Sequence, residues 1–317
     1  MTDAPRGPGR ACPLAYGYGA AALATPAAFG ADTLYVAGGL YGNVPALERL
    51  LERFDAEPGD KALVFNGDFH WFDVDPADFG RVTGAVLAHR ATRGNVETEL
   101  ADPAAGAGCG CGYPDWVDDG VVDRSNRIIA RLRETATAFP GFRADMAALP
   151  MHLVAEVGGE RIGVVHGDAD SLAGWGFSQE ALATPAGEAR ARAAFGEAGV
   201  RVFASSHSCL PVLQDLGAGR LVANNGAAGM PNFRGTACGI ATRISVRPRA
   251  DTLYGLRTGA LHVDAMAIDY DAAAWQRQFV AQWPQGSDAH RSYFERIVRG
   301  PEYQLPQALR ASARRAA

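Results

Sequence analysis

Four short apolar runs in this chain each stop at a residue able to bind a metal. K-A-L-V-F-N runs into Gly67 and Asp68, and a short run before R-G-N ends at Asn95. R-I-G-V-V ends at His166, and V-F-A-S-S leads to His207. Helical stretches separate the runs. Val44–Phe54 sets Leu47, Leu50, Leu51 and Phe54 on one helical face, with Asn43 placed to cap it and Pro45 in its first turn. Strand alternating with helix predicts an α/β fold, in which the functional crevice lies at the carboxyl ends of the strands. Four polar side chains at four such ends therefore point into one shared space.

The remaining chain fits that plan. Ala77–Ala88, Val121–Ala136, Ser178–Ala198, Asp271–Trp283 and Ala289–Val298 read as helices, and Met151–Val157 and Arg161–Val165 as a hairpin about Gly158-Gly159. Residues 212–270 read mostly as strands and turns, and 101–115 as a long Gly/Pro-rich loop of the kind kept for a function. The expected organisation is a loosely ordered lead-in over 1–30, one domain over 31–300 and a C-terminal tail over 301–317. With 317 residues, 48% of them apolar, the chain can bury a large core. Its net charge of -5 and lack of a basic run exclude a nucleic-acid duplex as partner. No uninterrupted apolar stretch is long enough for a membrane helix. Residues 11–29 follow Arg6 and Arg10 as in a secretory leader, but Pro13, Gly17, Gly19 and Pro26 interrupt the apolar core such a leader needs. Five irregularly spaced cysteines make no disulfide framework, so the expected location is cytoplasmic.

Asp and Asn oxygens with two imidazoles make a mixed donor set that suits Mn, Fe or Zn better than Ca or Mg. Taken singly, Gly-Asp and Gly-Asn are ordinary turn signals and a strand-end histidine is ordinarily satisfied by backbone. The weight lies in their joint occurrence and order.

That order resembles the calcineurin-like metallophosphoesterase family, whose blocks are D-x-H, G-D-x-x-D, G-N-H-D/E, a lone H, and G-H-x-H. Here they read Gly39-Leu40-Tyr41, G-D-F-H-W from Gly67, G-N-V-E from Gly94, His166 in V-V-H-G-D, and S-H-S-C from Ser206. The flank Y-G-N-V-P-A-L-E-R-L-L and the later Asn224–Pro231 stretch are also similar to the family's, so the likeness spans about residue 32 to 231. It implies a four-layer α-β-β-α sandwich, two mixed sheets flanked by helices. It also implies Asp68 as a ligand shared by two metals, with Asn95, His166 and His207 completing the second. The private ligands of the first metal fall on Gly39, Tyr41 and Cys209, so one half-site is kept and the other replaced. The G-N-H histidine is Val96, and Arg93 matches an arginine that contacts phosphate in the phosphoprotein phosphatases.

Three readings stay open. In the first, one divalent ion sits on Asp68, Asn95, His166 and His207 in a hydrolase acting on a small phosphorylated substrate or nucleotide. His70 then serves as acid/base, and Tyr41 and Arg93 hold the phosphoryl group. In the second, Cys209 with Cys109 and Cys111 of the long loop rebuilds a thiolate metal site. In the third, the fold is a non-catalytic binding module for a phosphorylated ligand or nucleotide, with Trp71, Trp175 and Phe177 available to stack a base. The segment after residue 250 caps the crevice or makes a homo-oligomer contact.

Overall fold

A computed structural model describes residues 7–103 and 107–311. Strands are numbered along the chain: β1 Phe29–Ala31, β2 Thr33–Ala37, β3 Lys61–Asn66, β4 Arg90–Thr92, β5 His152–Val157, β6 Glu160–Val165, β7 Val202–Ser205, β8 Pro211–Asp215, β9 Leu221–Asn225, β10 Gly239–Ser245, β11 Tyr254–Thr258, β12 Leu261–Ile268 and β13 Leu309–Arg310. The helices are α1 Val44–Asp55, α2 Pro76–Leu87, α3 Asn95–Ala101, α4 Asp119–Ala136, α5 Pro140–Ala148, α6 Pro185–Ala198, α7 Ala272–Gln282, α8 Asp288–Arg299 and the single turn α9 Leu305–Ala308.

Two mixed sheets result. One runs β11-β12-β10-β2-β3-β4 and the other β1-β5-β6-β7-β9-β8-β13. Successive strand residues point to opposite faces, and the chain uses both. In β2, Leu34 and Val36 enter the core between the sheets, while Tyr35 and Ala37 enter the core under α1, α2 and α4. In β7, Val202 and Ala204 face the other sheet, and Phe203 packs on Phe195 of α6. Three cores separated by two sheets make the expected four-layer α-β-β-α sandwich.

Local signals set several elements as expected. The Asn43 side chain accepts from Ala46 N (2.9 Å) at the start of α1, with proline in the first turn. It also donates to Gly229 O (2.8 Å) while fully buried. Asn43→Ala therefore removes a cap and strands a buried carbonyl, and should cost about 2 kcal/mol in urea denaturation.

Other expectations are corrected. Residues 7–30 are no loose lead-in: Tyr16 and Leu23 are buried, and β1 pairs in parallel with β5. Residues 301–310 are no free tail, because Tyr303 is buried with its hydroxyl donating to Pro211 O (2.9 Å) and β13 adds to β8. Neither segment has a regular apolar period; a few large side chains dock them. The first six residues of the lead-in, 104–106 of the long loop and 312–317 of the tail lie outside the described residues. The helix expected from Ser178 starts at Pro185, behind a 3-10 turn over Ala181–Ala183. Helices α3 and α5 are additions. The Gly94-Asn95 pair reads as a turn but opens α3.

Candidate metal centre

Each candidate ligand follows the carboxyl end of a strand: Asp68 after β3, Asn95 after β4, His166 after β6 and His207 after β7. β3 and β4 belong to one sheet and β6 and β7 to the other, so the site bridges the two at one end of the sandwich. The chain leaves β3 through Gly67 at φ +71°, where a Cβ would lie 2.6 Å from the Gly94 backbone and from His166 Nδ1. Only glycine admits that approach.

The four donor atoms converge. His166 Nε2 lies 3.3 Å from Asp68 Oδ1, 3.3 Å from Asn95 Oδ1 and 3.2 Å from His207 Nδ1. Their remaining polar atoms are tied down from outside. His166 Nδ1 donates to Asn66 O (2.8 Å), His207 Nε2 to Cys111 O (3.0 Å) and Asn95 Nδ2 to Cys109 O (3.0 Å). A carbonyl only accepts, so each imidazole carries its proton outward and turns its lone pair inward. The Asn95 amide likewise turns its oxygen inward.

An inward-facing set of two nitrogens and two oxygens is complementary to a cation. Ligands about 2.0–2.1 Å from a shared ion stand about 3.3 Å apart, and His166 Nε2 keeps that separation from each of the other three donors. The donor set therefore fits the divalent ion that its chemistry implies.

The electrostatics favour this arrangement at His207 and Asp68 and oppose it at His166. Burial holds the His207 imidazole down at about 4, with His166 adding to the effect, so its inward nitrogen is a free base near neutrality. Burial opposes ionisation of Asp68, but the two imidazoles outweigh it and hold the carboxyl low. Burial likewise pulls His166 down, and the Asp68 carboxylate more than offsets that and raises it.

Beside these donors lie Gly39, Tyr41 and Cys209, the positions where the resemblance puts the first metal's ligands. The Tyr41 hydroxyl lies 2.8 Å from Cys209 Sγ. A Cβ at position 39 would meet the Tyr41 ring at 2.9 Å, so the ring occupies the space that a side chain at 39 would need. The three replacements are one structural unit. Burial raises both the phenol and the thiol, so the pair is neutral. Tyr41, Asp68 and Cys209 are also three of the four non-glycine residues at positive φ among the described residues. Strain collected at one site marks functional constraint.

Not every candidate comes to the cavity. His70 is buried away from it, with Nδ1 2.5 Å from Asp73 Oδ2, Nε2 2.9 Å from Thr83 Oγ1 and its ring stacked on Phe79. Its place as acid/base is corrected: it anchors the Asp68 loop to α2. Arg93 is turned to the end of α5, donating to Ala147 O (3.1 Å), so it does not meet a phosphoryl group there. The three-thiolate site does not form. Among the described residues the acid, histidine and cysteine side chains close enough to share an ion are Asp68, His166 and His207. Cys109 is buried, while Cys111 and Cys209 line the cavity.

Glu97 is the residue whose role the sequence did not reveal. Fully buried, its carboxylate accepts from Asp68 N (2.8 Å), Phe69 N (3.0 Å) and Gly94 N (2.8 Å), clamping the loops after β3 and β4 together. The signal available was its place in the first turn of α3, where a glutamate reaches back to free backbone N–H groups. The C-terminal segment caps the crevice. Tyr293 of α8 lines it, and Arg296 donates to Cys209 O (2.6 Å). Among the described residues no helix is long and apolar enough to cross a membrane.

No protein-family model and no curated protein matches the sequence. Solved structures do match the fold. A metallophosphoesterase from Sphaerobacter thermophilus superposes with a TM-score of 0.55 at 16% identity, covering 86% of this chain and 100% of that one. A hypothetical protein from Pyrococcus horikoshii OT3 also gives 0.55 at 16% identity, covering 86% and 99%. With two mixed sheets between helices and the candidate ligands at strand ends where the sheets meet, this chain has the calcineurin-like metallophosphoesterase fold.

Proposed function

We propose that the chain is a metal-dependent phosphoester hydrolase working with one divalent ion, Mn, Fe or Zn, on Asp68, Asn95, His166 and His207. The observation that carries this is that His166 Nε2 lies 3.2–3.3 Å from the inward atoms of the other three, with His166, His207 and Asn95 each oriented from behind. The chemistry an ion supplies in such a site is polarisation of a phosphoryl oxygen and acidification of a water. Glu97 holds the Asp68 and Asn95 loops in register. Tyr41 and Cys209 put a neutral hydroxyl and thiol in the cavity wall, where they hydrogen-bond a phosphoryl oxygen or supply a proton to the leaving group. The Tyr41 ring takes the space a side chain at position 39 would need, which supports one ion rather than two. The free cysteines among the described residues suit a reducing cytoplasm.

The test is the metal-to-protein ratio of the chain reconstituted with Mn or Zn. The expected ratio is one, and Cys209→Ser should leave it unchanged. A ratio of two overturns the one-ion site. A ratio of zero, with no turnover of any phosphoester, overturns the hydrolase and favours a binding module.

A further inference from the structure

The wall above the donors is aromatic and lacks cations. Trp71, Tyr113, Trp175 and Tyr293 line it with Tyr41, and among the described residues no lysine or arginine does. Trp175 is its centre. Its ring stands 5.3 Å from the His207 ring, 6.0 Å from Tyr113 and 5.6 Å from Trp116, which is 62% exposed. An aromatic path thus runs from a metal ligand to the surface. The wall is rigidly held. Trp175 Nε1 donates to Cys111 O (3.0 Å), the carbonyl that also takes the His207 proton. The loop bearing Trp175 is pinned by Asp168, whose buried carboxylate accepts from Asp170 N (2.9 Å), Ser171 N (3.0 Å) and Gly176 N (2.9 Å).

Charge decides what such a wall accepts. A divalent ion with Asp68 leaves one net positive charge, since phenol and thiol side chains are neutral in ordinary water. Behind the wall stand one cation, Arg296 on Cys209 O, and two carboxylates, Glu97 on the Asp68 loop and Asp168 on the Trp175 loop. Arg93, expected on the phosphoryl group, and His70, expected as acid/base, both point elsewhere. With no cationic side chain on the wall, a dianion brings more uncompensated charge against apolar surfaces than a monoanion does, which is costly.

Resting on the phosphoester hydrolase reading, we infer that the substrate is a phosphodiester monoanion carrying a planar aromatic ester group that stacks on Trp175. Its hydrolysis breaks one ester P–O bond, forms one P–O bond to the oxygen of water, and passes a proton of that water to the departing alcohol or phenol. The product is a monoester, whose second charge favours its release.

The test is calorimetric binding of diphenyl, phenyl and diethyl phosphate to the manganese-loaded chain, alongside turnover of bis(4-nitrophenyl) and 4-nitrophenyl phosphate. Diphenyl phosphate should bind at least about tenfold tighter than diethyl phosphate, a step the size of one aromatic stack, and at least about tenfold tighter than phenyl phosphate, whose second charge meets no cation on the wall. Trp175→Leu should abolish the preference for diphenyl over diethyl phosphate and Trp175→Phe should keep it. That ratio is insensitive to general loosening of the site. Phenyl phosphate binding as tightly, with the monoester turned over as fast, leaves the hydrolase standing and overturns the diester. Diethyl phosphate binding as tightly, or a preference untouched in Trp175→Leu, overturns the aromatic contact. No binding and no turnover of either class removes the hydrolase reading, and this inference with it.

Discussion

His166→Ala should lower metal affinity by more than about 100-fold, beyond the upper end seen when an outer partner of a ligand is lost. Phosphoester turnover should fall with it to background. His166 is the hub of the donor set: its Nε2 lies 3.2–3.3 Å from each of Asp68, Asn95 and His207. Its removal leaves the Asp68 carboxylate buried without its imidazole partner, so some loss of stability accompanies the loss of metal. His70→Ala separates the two effects. That histidine is as buried, but it bonds to Asp73 and Thr83. It should lower the denaturation midpoint while the folded chain still takes up one equivalent of metal. Elemental analysis and urea denaturation of both variants make the comparison. Full metal occupancy in His166→Ala would sink the assigned site.

The largest stability effect is expected far from the metal. Arg243 and Glu57 are 1% and 3% exposed and form a two-pronged pair, Nη2 to Oε1 at 2.8 Å and Nε to Oε2 at 3.1 Å. Glu57 also accepts from the Tyr35 hydroxyl (2.8 Å) and Arg249 Nη1 (2.6 Å). Arg243 reaches Asp264 at 3.3 Å. Glu57→Gln or Arg243→Met breaks the two-pronged pair, leaving Arg243 with Asp264 or Glu57 with Arg249 and Tyr35, and should cost about 3 kcal/mol in urea denaturation, the low end for a broken buried pair. A loss below about 1 kcal/mol would show that water replaces the partner.

The same cluster sets an acid limit. Burial opposes ionisation of Glu57, but its bonds to Arg243 and Tyr35 and the further charge of Arg249 bring its carboxyl down to about 2. The unfolded chain takes up that proton near the ordinary glutamate value of about 4.3. The folded pKa lies below the unfolded one, so this stabilisation is full above about pH 4.5 and fades as pH falls towards 2. The wild-type chain should lose stability across that window, and Glu57→Gln should lose less of its own.

What could be read from sequence was whatever depends on neighbours along the chain. The Asn43 cap, the hairpin at Gly158-Gly159 and the strand ends at Asp68, His166 and His207 follow from turn chemistry and apolar periodicity, which act over a few residues. The side chains around the site were settled over longer distances. Tyr41 meets Cys209 168 positions away, and its ring packs against Gly39, contacts that the three residues taken singly do not predict. Glu97 clamps a loop 29 positions before it, and Arg93 turns to a helix that the sequence did not reveal. His70 is only 13 positions from Thr83, yet the contact exists because α2 folds back over the β3 loop. Periodicity marks which residues face a core or a crevice. Which atoms a side chain then meets is determined by how the two sheets and their helices pack, and that packing is a property of the whole chain.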